Sequence, residues 1–294
     1  MGASQNLIIR FAPIIFVLLW ATGFPAAKFG TAASGPFIFL LIRFLAAFAI
    51  LAILVFLVFG ATKSDRQQVL HSILAGMLVQ GVYLGGVFFA VSKGMPAGIS
   101  ALIVALQPFL TAVFAFFLLK EELPLLKACF FVVALFGVVL VLFPELSLFK
   151  AIPGVTPLTL GAAFASALGI SYGTVYQKKY VTELNLWVTT MCHFIGGAIV
   201  MILGMWVFGV GELSWTLQSI LTLAWLIFVL SIGAVALLMY LIRRDSSASV
   251  ASLFFLVPVV AALMTWFLFG ETMNAVQLLG GAIVVLSVAV TSRI

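Results

Sequence analysis

Apolar residues run along this chain in blocks of about 18–25, parted by short polar breaks, with no alternation of period two. A lipid interior offers no partners to backbone N–H and C=O groups, so an apolar block of that length must close its own hydrogen bonds as a helix. Ten such blocks are predicted to be transmembrane helices: 11–30, 36–60, 69–92, 97–119, 124–143, 157–177, 186–209, 217–242, 247–269 and 275–291. The alternating pattern of an outer-membrane barrel is not seen. The expected fold class is an all-α, polytopic membrane protein. The first block is followed by small residues in the manner of a signal peptide. Its place among ten blocks, with a counterpart later in the chain, argues against cleavage.

Composition strengthens the reading. Of 294 residues, 65% are hydrophobic and 7% charged, against roughly 25% charged in a soluble globular protein. The loops are too short for a soluble domain, which confines any function to the membrane region. Cys129 and Cys192 fall inside apolar blocks and read as small buried hydrophobes, with no disulfide or metal spacing. The net charge of +6 builds no basic face for nucleic acid; its distribution reports orientation instead. With the N-terminus inside, Arg10, Lys63, Arg66, Lys120, Lys127, Lys178, Lys179, Arg243, Arg244 and Arg293 lie inside. Lys28, Lys93 and Lys150 lie outside, and Arg43 lies within the second block. That asymmetry predicts cytoplasmic N- and C-termini.

A shift of 150 residues superposes much of the chain on itself. It pairs Pro108 with Pro258, Glu121 with Glu271, Arg43-Phe44 with His193-Phe194, Phe37 with Trp187, Ala101 with Ala251 and Leu106 with Leu256. Each half, 1–148 and 149–294, holds five blocks, and an odd number inverts the second half relative to the first. The expected architecture is therefore ten transmembrane helices as two inverted-topology five-helix repeats, a plan in which one half rocks against the other around a midplane site. The glutamates Glu121, Glu122 and Glu271 precede helices whose free amides they are placed to cap. Pro108 and Pro258 sit near mid-membrane, each freeing a carbonyl one turn earlier, either for a packing kink or for a kink that helps line a cavity.

Polar groups placed deep in such blocks are the candidate chemistry, since they face the bundle interior or a wet cavity. Span three offers Gln80 and Tyr83, span four Gln107, span one Trp20, span six Ser166, Ser171, Tyr172 and Tyr176, and span seven His193. Trp20, Gln80, Tyr83 and Gln107 would meet if spans one, three, four and six surround one opening; each also has a plain reading as an interhelical hydrogen bond or core filler. Arg43 lies about 10 Å into span two at 1.5 Å per residue. It either snorkels to the outer interface or bonds to helix-end carbonyls, or else contacts a substrate carboxylate. His193 either hydrogen-bonds structurally or handles protons or substrate. The remaining aromatics, among them 29 Phe, read mostly as lipid-facing filler, with Trp187, Trp206, Trp215 and Trp225 as an interface belt. All eight Asp and Glu residues fall in loops or at span ends. No carboxylate is therefore placed to carry a proton or neutralise a cation at mid-membrane. No P-loop, HExxH or paired carboxylates occur, so ATP-driven transport and enzymatic hydrolysis are disfavoured and no cofactor or metal is expected.

Several phrases together resemble a known family: W-x-x-x-F at Trp20–Phe24, Arg43, KGMPAGISALIVALQP, the proline-to-glutamate phrase closing spans four and nine, and LLGGAIVVLSVAV at 278–290. They look like the EamA-type, ten-span branch of the drug/metabolite transporter superfamily, and the aromatic span faces are similar to YddG-like bacterial exporters of amino acids. One departure is Ser287, which stands where many second halves carry glycine and faces Gly137 of the first half. The resemblance implies a multi-pass protein of the bacterial inner membrane. Its expected activity is export of small amphipathic metabolites, amino acids including aromatic ones foremost, by facilitative alternating access. The expected partners are that small-molecule substrate and the lipid bilayer, with no nucleic acid, and a monomer suffices. Gly81, Gly85, Gly86, Gly94 and Gly98 would let spans three and four slide against eight and nine, and close static packing explains them equally well. Efflux of drug-like organic cations is the alternative; a membrane-embedded enzyme or a channel fits less well.

Overall fold

The computed structural model describes residues 3–31, 34–59, 65–142, 154–269 and 275–291. Ten helical spans cross these residues, close to the predicted blocks. Five are continuous: Pro36–Phe59, Leu125–Leu142, Pro157–Tyr180, Leu186–Phe208 and Ala275–Thr291. The others are interrupted. Span one breaks at Thr22, between Ala3–Ala21 and Gly23–Thr31; span four breaks between Ala97–Val104 and Gln107–Leu119. Span nine passes through a 3-10 turn, Leu253–Phe255, between Ser247–Ser252 and Leu256–Phe269. Among the described residues six helices are long and apolar enough to cross a membrane by length and hydropathy alone, and four are shorter apolar helices, Phe11–Ala27, Leu125–Val141, Ser249–Val260 and Ala275–Thr291.

The duplication is visible in the irregularities. The interruption before Pro108 and the 3-10 turn before Pro258 occupy equivalent positions, since 105 plus 150 is 255. Spans three and eight each contain a π-helical stretch, Met77–Val82 and Leu226–Ala234, and these too coincide under the 150-residue shift. In a π stretch each amide reaches one residue further back, so an extra residue is accommodated and the side chains beyond it are re-aimed. Paired discontinuities of this kind mark the midplane site of repeat transporters. The repeats meet at Phe44 and Phe194, a pair related by the same shift, whose rings stack 6.1 Å apart. Spans five and ten close the other contact, where a Cβ at Gly280 would lie 2.7 Å from the Gly137 carbonyl oxygen.

Span starts carry the caps their sequence provides. Asp65 accepts from the amides of Gln67 and Gln68, Thr156 forms a reciprocal box with Thr159, and Asn185, Thr216 and Ser246 each accept from an amide in the first turn. Span four ends at Lys120 in the left-handed region, φ 55°, a conformation glycine adopts freely; the repeat-equivalent position in the sequence is Gly270. Glu121 forms an ion pair with Lys178 of span six, 3.2 Å away, a link between the halves that the capping expectation did not anticipate. Glu271, Lys63, Lys150 and Arg293 lie outside the described residues.

The radial order is that of a membrane protein. Trp206 is 84% exposed and Leu57 73% on the outer face, while Arg43, Gln80, Gln107 and His193 are buried at 0–2%. Apolar rims meet lipid, and polar groups turn inward. Not all of the phenylalanine is lipid-facing filler, however. Phe16, Phe39, Phe44, Phe88, Phe131, Phe194 and Phe255 are fully buried, and their stacking fills the interior between the halves. Trp225 also departs from a pure interface role, because its Nε1 donates to Thr22 Oγ1 at the break in span one, 3.0 Å.

Candidate functional site

Four of the sequence-predicted residues converge. Trp20, Arg43, Gln80 and Tyr83 line one cavity of about 20 Å³ together with Gly23, Leu84, Val87, Phe88 and Leu230. That is room for about one water molecule, so a metabolite fits only after the walls of this cavity part. Each wall has a local cause. Trp20 ends the first segment of span one, just before the break at Thr22. Gln80 lies inside the π stretch of span three, and Tyr83 follows it. Leu230 comes from the equivalent π stretch of span eight, so both discontinuities face the same space.

Trp20 and Tyr83 form the aromatic wall. Their planes are nearly parallel, 7° apart, with centroids at 6.3 Å, and the indole Nε1 donates to the Tyr83 hydroxyl at 3.3 Å. Phe254 and Phe16 pack edge-on and tilted against Trp20 from behind, at 5.4 and 5.0 Å. Arg43 does not snorkel to the interface. It is 2% exposed and turns inward, where its Nε donates to Ser231 Oγ at 2.9 Å. Ser231 belongs to the span-eight π stretch, so this bond joins the two halves. No acidic side chain pairs with Arg43 among the described residues. Beside it, Gln80 is fully buried and neither side-chain amide atom has a hydrogen-bond partner.

The other predicted residues lie elsewhere. Gln107 is fully buried without partners for its side chain, and it is not on the cavity wall; its main-chain carbonyl accepts from Ser171 Oγ, 3.2 Å. Ser166 bonds to the Ala162 carbonyl of its own helix, 2.8 Å. Tyr172 meets Phe114 edge-on at 5.4 Å. Tyr172 and Tyr176 share a face as their spacing implied, and Tyr180 extends the ladder, with Tyr176 and Tyr180 centroids 4.7 Å apart. His193 is buried beside the Phe44–Phe194 contact, with neither ring nitrogen hydrogen-bonded. Pro108 opens the second segment of span four, and Pro258 follows the 3-10 turn of span nine; neither lines the cavity.

Two residues escaped the sequence reading. Ser231 is a lone polar residue within IFVLSIGA, and its depth was the available signal. His71 accepts or donates through Nδ1 to the Tyr176 hydroxyl at 2.7 Å and stacks on Tyr180 at 5.0 Å. This contact belongs to a set of ties across the end of the bundle rich in Lys and Arg. There Lys178 pairs with Glu121 and donates to the Asp245 carbonyl at 2.5 Å, and Arg243 donates to the Leu184 carbonyl and to Thr189 Oγ1. At the opposite end the Gly35 amide donates to the Glu212 carbonyl at 2.6 Å, and the Ser214 amide to Ser34 Oγ at 3.2 Å. Polar ties thus join spans at both ends of the bundle.

The EamA-like transporter family matches residues 7–143 and 158–293, one copy in each half. This chain belongs to the EamA-like transporter family. Full-length relatives agree. The chain is 26% identical to the "Uncharacterized inner membrane transporter YedA" of Escherichia coli, over 99% of this chain and 93% of the relative. It is 25% identical to the "Uncharacterized transporter YvbV" of Bacillus subtilis, over 94% and 88%. It is 26% identical to the "Probable amino-acid metabolite efflux pump" of Salmonella typhimurium, over 93% and 91%. A solved crystal structure superposes with a TM-score of 0.77 over 96% of each chain at 21% identity, which speaks for the fold. The EamA-like protein is therefore a multi-pass membrane transporter of a small molecule, and the cavity between its halves is the candidate transport site.

Proposed function

We propose that the protein exports small amphipathic metabolites, amino acids including aromatic ones foremost, by alternating access between halves 1–148 and 149–294. The observation that carries this reading is the cavity in which Trp20 and Tyr83 supply a flat apolar wall while Arg43 and Gln80 supply polar contacts. An aromatic ring stacks on the wall, and the polar head of the same molecule meets the guanidinium and the amide. Opening at one end requires the ties that cross between the halves, Lys178 with Glu121 and His71 with Tyr176, to part; opening at the other releases Gly35 and Ser214. Span-three and span-eight π stretches are the places where the helices give. The Lys and Arg distribution supports a cytoplasmic Lys178–Arg243 end, with both termini on that side. Among the described residues no carboxylate lines the cavity to couple protons, which supports transport down the substrate gradient. A drug-like cation fits less well, because it would share the cavity with Arg43. The relative named as an amino-acid metabolite efflux pump supports the substrate class.

Counterflow tests the reading: purified protein in proteoliposomes loaded with unlabelled amino acids, with entry of labelled phenylalanine followed with and without a pH gradient. Transient accumulation indifferent to pH and lost in Trp20→Ala is expected. Folded protein showing no counterflow with any amino acid would refute the substrate assignment.

A further inference from the structure

We propose that the cavity recognises its cargo through a carboxylate alone, so that the transported class is apolar monocarboxylates whether or not they bear an α-amino group. This deepens the export reading above and rests on it. Arg43 is 2% exposed, lines the cavity, and has one hydrogen-bond acceptor, the neutral Ser231 hydroxyl at 2.9 Å. A buried cation without an anion is strongly unfavourable and stable only when something supplies the countercharge. Protein carboxylates do not: among the described residues Asp65, Glu121, Glu122, Glu183, Glu212 and Asp245 all lie in loops or at span ends. A guanidinium presents a planar fork of donors that a carboxylate meets bidentately, and Nε is already committed to Ser231, which fixes the direction of the remaining N–H groups. Gln80 completes the head-group site. It is fully buried on the same wall with its amide N–H₂ and carbonyl both unpartnered, and its N–H₂ is a second donor for the same anion.

The rest of the wall bears on what the cargo lacks. An α-ammonium bound in such a space needs a carboxylate or a cluster of carbonyl acceptors, and it would stand near Arg43 as a like charge. The cavity offers it the Gln80 carbonyl and the aromatic faces of Trp20 and Tyr83, a weaker set than the donors facing the carboxylate. Affinity therefore resides in the carboxylate and the apolar tail. A 2-hydroxy or 2-oxo acid with the same tail binds as the amino acid does, while an amine or amide with that tail does not.

The experiment is competition in the proteoliposome counterflow of labelled phenylalanine, using 3-phenyllactate, phenylpyruvate, phenylalaninamide and phenethylamine, with thermal unfolding of the wild-type chain in the presence of each compound as a second measurement. Phenyllactate and phenylpyruvate should compete within about tenfold of phenylalanine, and the amide and amine should be weaker by about 10–100-fold, the loss of one charge-assisted contact. Arg43→Gln, shown to be folded by monodisperse elution, should lose phenylalanine counterflow and thermal stabilisation by phenyllactate together, and Ser231→Ala should weaken both less. Equal competition by phenylalaninamide, or a folded Arg43→Gln stabilised by phenyllactate as wild type is, overturns the proposal while leaving amino-acid export standing. Stabilisation by phenyllactate without any transport of phenylalanine supports carboxylate recognition and removes the amino-acid assignment. If neither acid nor amino acid stabilises or competes, the proposal falls.

Discussion

Replacing Gly76 by alanine sets a methyl group against backbone that cannot rotate away. Spans three and seven cross there so closely that a Cβ at Gly76 would lie 2.3 Å from the His193 Cα and 2.5 Å from its carbonyl oxygen. From the other side, a Cβ at Gly196 would lie 2.2 Å from the Ile73 carbonyl oxygen. Ordinary contact begins at 3.4 Å, so the helices must part by the difference, 3.4 − 2.3 = 1.1 Å. Overpacking of this kind costs about 1–3 kcal/mol. At about 2–4 °C per kcal/mol, the scaling of soluble domains of somewhat smaller size, the melting temperature should fall by about 2–12 °C. Transport should suffer as well, because Gly76 lies one turn before Gln80 and opens directly into the π stretch that aims it. The internal control is Gly161 in span six, where a Cβ meets nothing within 4 Å. Alanine there gains helix propensity and should be neutral or stabilising by up to about 1 kcal/mol. Both variants would be compared with wild type by thermal unfolding in one detergent and by counterflow. Gly76→Ala melting at or above wild type would refute the close crossing of spans three and seven.

Tyr83→Phe removes the acceptor of the Trp20 indole, leaving a buried N–H unpaired at a cost of about 1–3 kcal/mol; tryptophan fluorescence should shift and counterflow weaken, and an unchanged spectrum would contradict the bond. Lys178 and Glu121, with side chains 26% and 21% exposed, should couple by only about 0.2–1 kcal/mol in a double-mutant cycle on unfolding; a larger coupling would mean that the pair is far better shielded from water. Gln107→Leu should be neutral or stabilising and leave counterflow intact, since it replaces two unpartnered buried amide atoms away from the cavity; loss of transport in folded Gln107→Leu would place span four on the cargo path.

Depth was legible in the sequence and azimuth was not. A backbone in lipid must satisfy itself, so block length fixes a span, and the blocks at 97–119, 247–269 and 275–291 coincide with their helices. The 150-residue shift likewise brought Phe44 onto Phe194 before any geometry was known, because a repeat preserves which residues face its axis. Depth put Gln80 and Gln107 at a common level, but which way each points depends on how its helix is wound. Gln80 sits in a π stretch, whose extra residue leaves no mark in composition, and it is turned onto the cavity. Gln107 sits just after an interruption of span four, where its main-chain carbonyl meets Ser171 of span six and its side chain stays off the cavity wall. Arg43 was open to two readings for the same reason: a long side chain two turns into a span reaches either the interface or the interior. The deciding residue, Ser231, comes from the other half and from another π stretch. The same irregularities that hid the site from the sequence therefore build it. Two π stretches at equivalent positions aim Gln80 from one half and Ser231 with Leu230 from the other, and the asymmetry of those side chains gives a pseudo-symmetric frame one cation-bearing pocket.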